Sequence, residues 1–279
     1  MKSAYMRYPG FRTRALTLSY DDGVEQDRRF IEIIDRYSIK CTFNLNSNKF
    51  YDEPQQFEPG RIHRIMTRAA AQELYIGSGH EVAAHMLDHP HPKEITPLAN
   101  VAQIFEDRKN LEEMFGTEVR GMAYPYGEYS DATIEAAKNC GIVYSRTTQS
   151  TCRFDLPTDW LRLPATCHHN SPRLMELAED FMTRKVTQVP LLFYLWGHTY
   201  EFEQNDNWDV IERFCQRVGN SDEVWYATNI EVHDYIEAFR ALRFTADGEK
   251  VFNPTCIPVC IETNEGRKLT VQPGEWVQL

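Results

Sequence analysis

Residues 14–37, RALTLSYDDGVEQDRRFIEIIDRY, run from a β-rich segment through a carboxylate pair and a glycine into a helix-like stretch. Ala15–Tyr20 reads as a strand and Glu25–Tyr37 as the helix after it. The same alternation continues along the chain. Further strands are expected at Cys41–Asn46, Glu81–His85, Gly121–Tyr124, Ile142–Arg146, Leu161–Ala165, Leu191–Trp196 and Glu223–Thr228. Helices are expected at Pro97–Phe115, Ser130–Asn139, Pro172–Lys185, Trp208–Val218 and Ile230–Ala241. Strands alternating with helices imply an α/β fold with a parallel sheet or barrel. Polar residues follow the ends of nearly every strand: Asp21 and Asp22, Asn46, His89, Tyr126, His168 and His169, His198, Asn229. In a β/α barrel that end is where loops build an active site.

A chain of 279 residues buries roughly 75% of its unfolded surface and needs no metal merely to hold a core. Hydrophobic residues at 42% and charged residues at 25% are ordinary for a globular protein. Thirty Lys and Arg against 41 Asp and Glu leave a net charge of -11, a field that repels phosphate backbones and anionic membrane surfaces. Neither nucleic acid nor a membrane is an expected partner. The longest apolar run, Leu191–Trp196, is too short to span a bilayer. The opening MKSAYMRYPGFRTR lacks the apolar core of a secretion signal, so a cytoplasmic protein is expected. The seven cysteines include no C-x-x-C pair and read as reduced thiols.

Asp21 and Asp22 leave their strand in different directions, so one can ligate a metal while the other faces a bound water. The plainer alternative is a helix-capping pair. His85 and His89, in HEVAAHMLDHPHP (80–92), are four apart and can converge on one ion. Four of the nine histidines crowd into residues 80–91, although a packed histidine is the common case. One carboxylate and two imidazoles leave open coordination positions, as hydrolytic metal sites require. His198 follows LLFYLWG and fits either a general acid at a barrel mouth or a capping ring. In Tyr124-Pro125-Tyr126-Gly127, Pro and Gly fix a turn whose N–H could face an oxyanion; an ordinary aromatic turn reads the same way. Phosphate-binding, dinucleotide-binding and serine-hydrolase motifs are absent from the sequence.

In order along the chain, SYDDG (19–23), GHEVAAHMLDHP (79–90), AYPYG (123–127), DLPTDW (155–160) and LWGH (195–198) resemble the motifs of the NodB-homology polysaccharide deacetylases, the family 4 carbohydrate esterases. The resemblance covers residues 15–235. It implies a distorted β/α barrel of seven or eight strands. It also implies that Asp22, His85 and His89 bind zinc or a similar divalent ion such as cobalt, nickel or manganese. Asp21 would be the general base and His198 the general acid. The Tyr126 N–H would help to hold the oxyanion, and the Trp160 ring would wall the acyl pocket.

The family's arginine in the third motif is Ala123 here, and the residue after the first metal histidine is Met86. A buried carboxylate base needs a cation to orient it. If Trp160 faces the pocket, Arg162, two residues on at the start of the expected strand Leu161–Ala165, would reach the same side and is the candidate. His168 and His169, in the Cys167–Pro172 loop, are candidate pocket residues. The inserted Tyr51–Gly79 segment, a loop with one short helix, would shape the same pocket.

The expected protein has a deacetylase barrel over 1–242 and a small antiparallel β appendage over 243–279, where TADGEK and TNEGRK mark turns. The expected reaction is metal-assisted removal of an acyl group, an N-acetyl or less readily an O-acetyl, from a sugar. The alternatives are hydrolysis of cyclic or small linear amides, including formamides, and carbohydrate binding without catalysis.

Overall fold

The computed structural model describes residues 3–279. Its strands are β1 (Ala4–Arg7), β2 (Arg14–Asp21), β3 (Cys41–Leu45), β4 (Glu81–Ala84), β5 (Gly121–Ala123), β6 (Tyr144–Ser150), β7 (Leu163–Ala165), β8 (Cys167–His168), β9 (Leu191–Gly197), β10 (Val224–Tyr226), β11 (Arg243–Phe244), β12 (Lys250–Phe252), β13 (Val259–Thr263), β14 (Lys268–Val271) and β15 (Trp276–Gln278). The helices are α1 (Asp27–Asp35), α2 (Arg68–Tyr75), α3 (Pro97–Phe115), α4 (Asp131–Asn139), α5 (Leu174–Thr183), α6 (Tyr200–Gln204), α7 (Trp208–Val218) and α8 (Asn229–Arg240). Among the described residues, no helix is long and apolar enough to cross a membrane.

Nine strands form one all-parallel sheet in the order β7-β6-β5-β4-β3-β2-β9-β8, with β10 beside the first half of β2. The two ends of that order, β7 and β8, are consecutive in the chain and separated only by Thr166. The Thr166 N–H donates to Tyr194 O of β9 at 2.8 Å, and its carbonyl accepts from Cys152 N at 2.9 Å, just past β6. The sheet therefore closes on itself as a barrel. It is distorted because β2 gives Arg14–Leu16 to β10 and Leu18–Asp21 to β3.

Side chains alternate across a strand, and here the alternation separates two chemistries. Leu16, Leu18 and Tyr20 of β2, Phe43 and Leu45 of β3, and Phe193 and Leu195 of β9 point outward. They pack with Phe30 and Ile34 of α1, Ile104 and Leu111 of α3, Phe181 of α5 and Phe214 of α7. The residues between them point inward and are mostly polar. Thr17 bonds Asn229 at 2.7 Å, Asn44 bonds Ser19 at 2.8 Å, and Tyr194 accepts from Asn229 at 2.7 Å. The start of α8 plugs one end of the barrel. Glu81, its carboxyl pushed up by desolvation, accepts from Ile230 N at 3.0 Å, Thr42 at 2.7 Å and Tyr144 at 2.7 Å. Only the end carrying the strand C-termini remains as a mouth.

Residues 243–279 form five short antiparallel strands. β1, from the start of the chain, pairs with β13 and completes one of their two sheets. Val251, Val259, Ile261 and Val271 pack there against Ala238 and Leu242 at the end of α8.

The eight expected strands and the expected helices are present, with four local differences, the first being that Cys167–His168, expected in a loop, is strand β8. Trp160–Arg162 is a 3-10 turn and not strand, because Asp159 Oδ1 caps the Leu161 N–H at 3.1 Å. β6 runs on to Ser150. The five-residue α6 carried no readable pattern.

Candidate active site

Asp21 ends β2 at the mouth, and Asp22 follows at φ 83° in the turn to Gly23. A Cβ on Gly23 would lie 2.9 Å from the Phe50 ring, so glycine is required where the chain bends. Met86, His89 and Tyr126 also hold positive φ at 60°, 57° and 58°. Backbone strain of this kind gathers at functional sites, where the surrounding structure over-determines it.

His85 follows β4, and its N–H donates to Asp107 Oδ2 at 3.0 Å. Asp107 lies fully buried on α3 and also accepts from Ser47 N at 2.7 Å; burial pushes its carboxyl up to about 7. Asn46 donates to the His85 and Met86 carbonyls and fixes the next turn. His85 Nδ1 is 2.8 Å from Ala123 O. A carbonyl can only accept, so Nδ1 carries the proton and Nε2 turns its lone pair to the mouth.

That Nε2 is 3.9 Å from both Asp21 Oδ2 and Asp22 Oδ1, and His89 Nε2 is 4.0 Å from Asp22 Oδ1. Burial, with His85 beside it, lowers the His89 pKa to about 4, so its ring is neutral at neutral pH. Burial opposes ionisation of Asp22. A hydrogen bond from His63 and the nearby His198 and His85 outweigh it and hold the carboxyl below its usual range. Asp22, His85 and His89 thus present ligand atoms within 4.8 Å of one another. An ion about 2.0–2.2 Å from each can bridge such spacings.

Asp21 is buried one step deeper. Its Oδ1 accepts from Asn44 at 2.8 Å, and its Oδ2 accepts from the Arg146 guanidinium. Burial opposes ionisation here too, but Arg146, His85 and His198 prevail and lower the pKa. Arg146, 1% exposed, also donates to Ser19 at 3.2 Å and lies 4.4 Å from the Trp196 ring.

His198 Nε2 is 3.7 Å from Asp21 Oδ2, and its Nδ1 is 3.1 Å from Glu201 Oε1. Burial lowers the His198 pKa, yet Glu201 and Asp21 overcome it and raise the value to about 8. Glu201 Oε2 also lies 3.3 Å from His168 Nε2 and 2.9 Å from His169 Nε2.

His168, His198 and Glu201 are likewise close enough to share an ion, but the proton positions disfavour it. His168 Nδ1 accepts from Asn170 N at 3.1 Å, so in the neutral ring Nε2 carries the hydrogen and faces Glu201 across 3.3 Å. Burial lowers the His168 pKa to about 4 and keeps that ring neutral. Glu201 is therefore a hub for histidine N–H groups, while His85 is set to ligate.

The sequence profile described as polysaccharide deacetylase matches residues 10–145. The chain is 21% identical over 137 residues to YxkH of Bacillus subtilis, a protein named for the polysaccharide deacetylases; the match covers 49% of this chain and 45% of YxkH. The chain thus spans less than half the length of that relative. A solved structure described as a polysaccharide deacetylase from Mycobacterium smegmatis aligns with TM-score 0.56 at 15% identity, over 85% of this chain and 95% of its own. A family 4 carbohydrate esterase from Streptomyces lividans, solved with acetate, aligns with TM-score 0.52 at 12% identity, over 77% and 93%. The polysaccharide deacetylase profile thus covers the chain from β2 to the start of β6, and the fold is the one these solved structures share.

Within this barrel, several residues expected at the pocket lie elsewhere. Arg162 does not reach Asp21: it is a surface residue paired with Asp131 and Asp159, each at 2.9 Å. The face-sharing rule for strands failed because residues 160–162 are a 3-10 turn. Arg146, directly opposite Ala123 in the β5–β6 register, supplies the cation from the next strand. Trp160 donates to Glu237 of α8 at 2.7 Å and packs on His233, away from the mouth. Trp196, which is buried, packs edge-on 4.5 Å from the His168 ring. His169 does not line the cleft but stacks in the core on Tyr20 and Phe202. Gly197 makes room for it, since a Cβ there would lie 2.0 Å from His169 Nδ1. Tyr126, 52% exposed, stacks on His91 at 3.8 Å and sets its edge to His89 at 4.6 Å.

Arg146, Trp196, Glu201 and His63 were missed from sequence. Trp196 and Glu201 had local signals, two residues before and three after His198. Arg146 had a weaker one, a charge at an inward position beside Tyr144. His63 had none.

Proposed function

We propose that the protein is a metal-dependent hydrolase that removes an acetyl group from an acetylated sugar, with an N-acetyl amide as the favoured bond. The observation that carries this reading is that Asp21, Asp22, His85 and His198 converge at one mouth, with the base and the acid in opposite protonation states. Asp22, His85 and His89 would hold one divalent ion, zinc or a similar metal. Such an ion acidifies water and polarises an acyl carbonyl at neutral pH.

Asp21, kept ionised by Arg146 and outside the ligand set, takes the proton from the attacking water. His198, kept protonated by Glu201, gives its proton to the departing amine or alcohol. The Tyr126 N–H, at the rim of the turn, is assigned to the oxyanion. His168, with Trp196 packed against it, is assigned to the acyl side. A protein that only binds sugar needs neither a paired buried base nor a tuned acid, so retention of both favours catalysis.

The test is acetate release from N-acetylated and O-acetylated oligosaccharides, with small cyclic and linear amides in parallel, each with and without zinc. Zinc-supported release from an acetylated sugar is expected. Activity confined to the small amides would move the substrate class, and none on any substrate would favour binding alone.

Glu201→Gln should lower kcat and shift the falling alkaline limb of the pH–rate profile to lower pH. An acid must be protonated to act, and the carboxylate is what lifts the His198 pKa to about 8 against burial. A limb unmoved in the variant would assign it to another group.

A further inference from the structure

His63 lies in the loop part of the inserted segment, ahead of its short helix α2. Its Nε2 is 3.1 Å from Asp22 Oδ2, whereas Asp22 Oδ1 faces His85 at 3.9 Å and His89 at 4.0 Å. The two oxygens of one carboxylate are thus divided between the ligand pair and a single outside donor. Against a carboxylate, which can only accept, His63 must carry its proton on Nε2.

The ring is held from several sides. Glu25 N donates to Arg64 O at 2.8 Å and Met66 N to Gly23 O at 3.1 Å, so the strap runs antiparallel to the Asp22 turn. Arg64 reaches both oxygens of Glu203 on α6 at 2.8 Å. Gln26 joins Ile62 O and Glu203, each at 2.7 Å. The ring of Tyr200, also on α6, meets His63 edge-on at 4.8 Å.

We infer that His63 is a positioning residue that occupies Asp22 Oδ2 and so leaves Asp22 to ligate through Oδ1 alone. This rests on the reading that Asp22, His85 and His89 hold the ion. His63 is not itself a ligand, because its Nε2 faces the edge of the carboxylate away from the two histidines. Partners that orient a ligating carboxylate are typically worth 10–100-fold in metal affinity. The insertion is therefore part of the metal site's framework as well as of the cleft wall.

The test is zinc affinity of the apoprotein, read by competition with a chromogenic chelator, so that no turnover is needed. His63→Ala should still bind one ion, with Kd raised 10–100-fold. His63→Gln, which restores an N–H donor, should recover most of that loss. His89→Ala serves as the control that removes a ligand. A Kd for His63→Ala within threefold of the parent would overturn the inference. So would a Gln variant no better than Ala, which would assign the effect to ring packing. A parent that binds no zinc would instead remove the metal-site reading, and this inference with it.

Discussion

Asp21→Asn should keep its full metal content and lose about a hundredfold to ten-thousandfold in kcat, the usual range for removal of a general base. Asp21 is buried, and both of its oxygens accept hydrogen bonds. Asn44 donates to Oδ1 at 2.8 Å and Arg146 to Oδ2. An amide in its place must aim its NH2 at one of those donors. A modest loss of stability, on the order of 1–3 kcal/mol for an unpaired buried group, should accompany the loss of rate. Elemental analysis and kcat measured on the same preparation separate the two roles. Near-normal turnover would take Asp21 out of the mechanism, and loss of metal would place it among the ligands.

Arg146→Met is expected to affect both rate and stability. The side chain keeps its length but leaves a buried carboxylate without its cation, a change that commonly costs about 3–5 kcal/mol. The folded-state pKa of Asp21 lies below its ordinary 3.8, chiefly because Arg146 offsets burial. Its contribution to stability is therefore present above the unfolded pKa and disappears as pH falls through the folded one. The gap between parent and variant should be widest at neutral pH and close in acid. A base must be ionised to act, and losing the cation raises its pKa, so the acidic limb of kcat/KM should move to higher pH. Urea unfolding across pH and a pH–rate series check both. A variant that matches its parent in unfolding midpoint and acidic limb would show that Arg146 does not hold the base.

The structure also shows where sequence reasoning reached and where it stopped. Pro97–Phe115 and Trp208–Val218 were legible to the residue, because each is long and bounded by clear signals such as Pro97 and Gly116. The grouping of Asp22, His85 and His89 was legible because β2 and β4 both end at the mouth and the histidines are four apart. The groups that tune the site were not. Arg146 meets Asp21 across 125 positions and His63 meets Asp22 across 41, so no local pattern connects them. The polar barrel interior was hidden for a related reason: in ALTLSYD the inward Thr17, Ser19 and Asp21 alternate with apolar residues. That pattern reads as a strand without saying which face is the barrel lumen. The expected role of Arg162 fell to a single capping bond, donated by Leu161 N to Asp159 Oδ1, that turned a strand start into a 3-10 turn.

On the proposed mechanism, one divalent ion held by Asp22, His85 and His89 is what makes the Asp21–His198 pair hydrolytic. Its most direct test is to strip the protein with a chelator and add zinc back in fractional equivalents, measuring acetate release from an acetylated sugar that the parent deacetylates. Activity should rise linearly to one equivalent per chain and then level off, with no recovery in His85→Ala at the same zinc. Full activity in the stripped protein, or recovery in His85→Ala equal to that of the parent, would contradict it.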